Sequence, residues 1–123
     1  MDSYKRLEAI TNDILTRLGV SEVSRGGELL RKAVFLTASG SRRHLSISTL
    51  SKSIAEPLGR RPQEIANSMR CAYETAYKKT AFSALSALCQ NPAKKPKLSE
   101  FIAMTAEMVR FTSETAVLAY DND

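Results

Sequence analysis

The stretch LSKSIAEPLGRRPQEIANSMRCAYETAY, from Leu50 to Tyr77, reads as a helix, a tight turn and a second helix. Ile54 and Ala55 fall on the inner side of the first helix, Leu58 closes it, and Gly59 is the residue most easily placed at positive φ. The small side chain of Ala55 lets two helices cross closely, and Gly59 reverses the chain without a Cβ clash. Pro62 suits a first helical position, where a missing N–H costs nothing. Ile65, Met69, Ala72 and Ala76 then recur at helical spacing as a core stripe. At about 100° per residue, Gln63, Asn67, Arg70 and Glu74 collect on the opposite side of that helix, with Tyr77 at its border.

That outward set has the chemistry of base reading. Arg70 can donate two hydrogen bonds to guanine O6 and N7, and Asn67 or Gln63 can pair in the same two-bonded way with adenine N6 and N7. Glu74 fits less well, because a carboxylate repels phosphate unless it accepts from cytosine N4 or pairs with a neighbouring cation. Any surface helix carries a solvated polar stripe. Two features favour DNA over that reading: the preceding helix with its glycine turn, and the cations at both ends. Arg60 and Arg61 stand at the amino-terminal end of the second helix, and Lys78 and Lys79 at its far end, where phosphate clamps belong. The pattern is that of a helix-turn-helix whose recognition helix, residues 62–77, enters the major groove of double-stranded DNA.

Composition agrees. The 123 residues, 43% hydrophobic and 25% charged, form one domain (1–123) with enough apolar content for a core and no need of a disulfide. The net charge of +5 favours a polyanionic partner. No apolar run approaches the roughly 20 residues of a membrane span, and Asp2, Lys5, Arg6 and Glu8 exclude a signal-peptide core, so a cytoplasmic protein that uses no membrane is expected. Cys71 and Cys89 lack a paired metal spacing, and the single histidine, His44, follows Arg42 and Arg43 in a polar loop suited to touching phosphate. Cys71 lies beside the outward face of the second helix, where it reads first as a semi-buried small residue and second as a redox-sensitive thiol near DNA; Cys89 reads as core. With no paired carboxylates, nucleophile and base, glycine-rich phosphate loop or metal cluster, the residues suggest no enzyme, no catalytic residue, no metal and no cofactor.

The rest of the chain is read as helical. Leu7, Ile10, Ile14, Leu15 and Leu18 form an amphipathic helix that Gly19 ends, and Gly26-Gly27 precede a second one carrying Leu29, Leu30, Ala33, Val34 and Leu36. Thr80 to Leu88 reads as a short helix, and Gln90 to Lys97, with Pro92, Pro96 and three lysines, as a loop. Ser99 is placed as the cap of a final helix that holds Phe101, Ile102, Met104, Met108 and Val109. The expected fold is all-α, a compact bundle of about six helices containing the helix-turn-helix. Met104, Met108, Val109 and Phe111, with Val117 and Leu118, exceed what one buried stripe needs and suit contact with a neighbouring copy.

Several of these segments resemble the C-terminal effector domain of the sporulation initiation (stage-zero) master response regulator family. The similarity runs from about Ile10 to Arg110, and its most specific element is Ser99-Glu100-Phe101-Ile102-Ala103-Met104 after Lys95-Pro96. Leu18-Gly19-Val20, Leu30-Arg31-Lys32-Ala33 and Ser53-Ile54-Ala55 add weaker matches. The resemblance implies a helix-turn-helix effector domain that binds short asymmetric DNA boxes, arranged head to tail, with self-association on tandem sites through the last helix.

It also implies a recognition helix with Arg, Glu and His on its outer side. Arg70 occupies one family arginine position, whereas Ala66 and Asn67 stand for Glu and Arg, Glu64 for Arg, and Cys71 for His. Either the chain reads a different box, or it is a protein-interaction module or an antagonist of a full-length relative. A full-length regulator and RNA polymerase are the further partners that this resemblance suggests. The family's receiver domain has no counterpart in these residues, and the opening Met1-Asp2-Ser3-Tyr4-Lys5-Arg6 favours a stand-alone effector over an excised one.

Overall fold

The computed structural model describes residues 3–40, 45–79 and 95–121, with side chains as far as residue 115. Every regular element in these residues is a helix: α1 (Ser3–Arg17), α2 (Arg25–Ser39), α3 (Ile47–Leu58), α4 (Pro62–Lys79) and α5 (Leu98–Asp121). The all-α expectation holds, with five helices among the described residues in place of about six. The expected helix from Thr80 to Leu88, Cys89, His44 and the side chains of Val117 and Leu118 lie outside the described residues.

Helix α2 lies at the centre and packs against α1, α3, α4 and α5. Its stripe of Leu29, Leu30, Ala33 and Val34 is buried, as are Leu15 of α1, Leu50 and Ile54 of α3, Ile65 and Met69 of α4, and Phe101, Ile102 and Val109 of α5. The 3.6-residue period puts these side chains on one face of each helix, and burial of those faces against one another is the main stabilising contribution.

The helix ends are closed by specific groups. Ser24 caps α2 by accepting from the Gly27 N–H at 3.0 Å, and Ser46 caps α3 by accepting from the Thr49 N–H at 3.1 Å. Arg110 of α5 closes the other end of α2, its guanidinium donating to the carbonyls of Thr37 and Ala38. Those carbonyls have no partner within their own helix, and the cation also suits the negative end of the helix dipole.

Two boundaries differ from the sequence expectations. Gly26 and Gly27 do not precede α2 but sit inside its first turn, because Ser24 is the cap. Ser99 is likewise not the cap of α5, which begins at Leu98; the Glu100 carboxylate accepts there from the Lys97 N–H at 3.4 Å.

Gly26 also shows why a glycine occupies that turn. A Cβ at this position would strike the Ser68 carbonyl oxygen and lie 2.9 Å from the Ala72 Cβ, so α2 and α4 touch backbone to helix surface. Gly26→Ala is expected to lower unfolding free energy by about 1–3 kcal/mol through overpacking against a backbone atom that cannot yield. Denaturant unfolding of the purified chain checks this, and an unchanged midpoint would contradict the close approach.

Candidate nucleic-acid interface

The α3–α4 corner is built by its turn. Gly59 has φ +64° and ψ +31°, the left-handed region. Its N–H donates to the Glu56 carbonyl at 3.3 Å and the Arg60 N–H to the Ala55 carbonyl at 3.1 Å, the paired pattern that closes a helix on a glycine. Pro57 lies in the last turn of α3, and Pro62 opens α4. Ile54 and Ala55 face the core, as their positions in the sequence suggest.

Helix α4 presents its inner face through Ile65, Met69, Tyr73 and Ala76, each at most 2% exposed. Ala72 is only partly buried and packs at the edge of the core, so the stripe is completed by Tyr73, which the apolar spacing did not single out. The Tyr73 hydroxyl donates to the Pro96 carbonyl at 2.5 Å, and its ring lies 4.8 Å, centre to centre, from that of Phe101. A tyrosine can be a core residue there because its one polar atom finds a buried acceptor.

On the opposite side, Gln63, Asn67 and Arg70 are exposed and Glu74 is half-buried. The structure brings all four to one face. Gln63 and Asn67 are joined by a 3.1 Å hydrogen bond between their side-chain amides, one turn apart. Glu74 does not stand bare; it pairs with Lys95, on the segment leading into α5.

Arg61, Lys78 and Lys79 are exposed and Arg60 is half-buried. None of these four cations, nor Arg70, makes an ion pair among the described residues, whereas Asp13 with Arg17 and Glu107 with Arg110 do pair. The face of α4 is therefore polar along its middle and carries uncommitted positive charge at both ends. Cys71 is exposed beside it, which corrects the semi-buried expectation: one step from Arg70 turns it into an open groove that it lines together with Gly19, Ser21, Ser24 and Gly26.

A family model described as sporulation initiation factor Spo0A C terminal matches residues 11–109. The chain belongs to that family. A comparison with curated proteins finds no match. The Spo0A C-terminal family consists of DNA-binding domains of sporulation regulators, and no described helix of this member is long and apolar enough to cross a membrane.

Of the positions at which this member of the Spo0A C-terminal family departs from the expected pattern, Glu64, Asn67 and Cys71 are exposed, while Ala66 is 8% exposed and turned toward the interior. Sequence reasoning missed Tyr73 and Lys95. The Tyr73 spacing, four residues after Met69 and three before Ala76, carried a signal; Lys95 carried none, since its partner lies 21 residues away. Tyr73→Phe should lower stability by about 1 kcal/mol, leaving the Pro96 carbonyl without its donor. A thermal midpoint equal to that of the unaltered chain would refute the hydrogen bond.

Proposed function

We propose that the chain is a sequence-specific DNA-binding transcription regulator of the sporulation type. In this reading α3, the Gly59 turn and α4 act as a helix-turn-helix, with α4 in the major groove. One observation carries the proposal: the face of α4 opposite the core gathers Gln63, Asn67 and Arg70 between two pairs of cations that make no ion pair among the described residues. Family membership supports it. Arg70 is the guanine reader, Asn67 and Gln63 are adenine readers, and Arg60, Arg61, Lys78 and Lys79 hold phosphates on either side. The hydrogen bond between Gln63 and Asn67 orients both amides before DNA arrives, which reduces the side-chain freedom lost on binding.

A second reading, a protein-interaction module or antagonist that no longer reads bases, is favoured by Glu64, Asn67 and Cys71, which replace charged or imidazole side chains of the family pattern on an exposed surface. The two readings differ in what mutation does. Arg70→Ala should weaken binding to a selected duplex by about 1–3 kcal/mol and to random duplex much less, with Asn67→Ala acting in the same direction at a neighbouring adenine. Fluorescence anisotropy on both duplexes measures the difference. Equal losses would make Arg70 a phosphate contact, and no duplex binding at low salt would leave the interaction module.

Counterion release supplies an independent check. Replacing Lys78 and Lys79 by Ala should reduce affinity for all sequences alike and lower the slope of log affinity against log salt by about 2. A slope that does not change would remove both lysines from the contact.

Self-association on tandem sites is proposed to run through α5, where Met108 is 38% and Phe111 is 70% exposed; Val109, expected in that surface, is instead fully buried in the core. Sedimentation showing a strict monomer both free and on a two-box duplex would exclude it.

A further inference from the structure

Arg70 and Glu74 are four residues apart on one helix, the spacing at which an arginine and a carboxylate ordinarily close an ion pair. They do not do so here. Glu74 turns to Lys95, whose ammonium donates to Glu74 Oε2, and Arg70 makes no ion pair among the described residues.

The position of Lys95 is set from below. Its neighbour Pro96 is buried and accepts the Tyr73 hydroxyl, and Tyr73 in turn packs on Phe101 at the start of α5. From that anchor the Lys95 ammonium lies 4.8 Å from the centre of the Tyr77 ring and 5.4 Å from that of Tyr73. A carboxylate and two ring faces thus hold one flexible side chain at the carboxy-terminal half of the α4 face.

We propose that Lys95 is a positioning residue for DNA binding: by engaging Glu74 it draws the carboxylate away from Arg70 and cancels its charge. The Arg70 guanidinium is then free to read a base. Without Lys95, Glu74 is released to pair along the helix with Arg70, and DNA must compete with that pair as well as face an added negative charge. The proposal deepens the reading of the α4 face as the DNA-binding surface and rests on it.

A thermodynamic cycle on the full chain tests it. The probes are a duplex selected from a random library by the unaltered protein and a random duplex of equal length. Lys95→Met, which removes the ammonium and keeps an unbranched apolar side chain, should reduce affinity for the selected duplex about three- to tenfold at low salt, and random duplex less. In the Glu74→Gln background the same substitution should have no effect, because there is no carboxylate left to divert. Lys95→Arg should retain the affinity of the unaltered chain. Circular dichroism confirms folding of each variant, with Lys95→Gln replacing Lys95→Met if the latter does not fold.

A loss that persists undiminished in the Glu74→Gln background would make Lys95 a direct phosphate contact, and no loss at all would make the pair irrelevant to binding. Either result overturns the proposal while leaving the DNA reading intact. Failure of the unaltered chain to bind any duplex would overturn the DNA reading itself, and the proposal with it.

Discussion

Burial of one face of α4 against α2 and α3 is the constraint on which the rest depends. Ile65, Met69, Tyr73 and Ala76 are withdrawn almost completely from solvent, and a helix has only one rotation that achieves this. Once that rotation is set, Gln63, Asn67, Arg70 and Glu74 have no freedom to face elsewhere. The contact at Gly26 fixes how near α2 and α4 lie, since any side chain there would push against the Ser68 carbonyl. The Gly59 turn fixes how α3 leads into α4, through one left-handed residue and two capping hydrogen bonds.

The ends of the helices tie the bundle together across long sequence distances. Arg110 reaches from α5 to the last carbonyls of α2, and Tyr73 reaches from α4 to Pro96 just before α5. Each of these links satisfies a backbone acceptor that the fold would otherwise leave buried or unpaired, so each combines positioning with polar satisfaction. The same anchoring of Pro96 places Lys95 against the outer half of α4. The route from core to candidate DNA surface is therefore short: a buried tyrosine, a fixed proline, a lysine and a carboxylate.

Much of this was legible in the residues. The periodic apolar positions of α1, α2 and α4, the glycine at the end of α3, the proline at the start of α4 and the family resemblance all report local rules that need no knowledge of neighbours. The misplacements have equally local causes. Gly26 and Gly27 looked like a helix boundary because glycine is a poor helix former, yet here they lie within the first turn, and Gly26 allows close packing. Ser99 looked like a cap because of its residue type, whereas the capping contact comes from Glu100 reaching back to Lys97. Cys71 was expected to be semi-buried, but it borders an open groove.

By itself the sequence determined the all-α class, the corner between α3 and α4 and the membership of Gln63, Asn67, Arg70 and Glu74 in one helix face, because a 3.6-residue repeat and two backbone-restricted residues act within a few positions of chain. The tertiary structure alone decided what those side chains are paired with. That Tyr73 is core, that Arg110 closes α2, and that Glu74 belongs to Lys95 rather than to Arg70 are facts about groups 21 to 73 residues apart. Such pairings depend on where two helices come to rest, and packing of the whole core sets that.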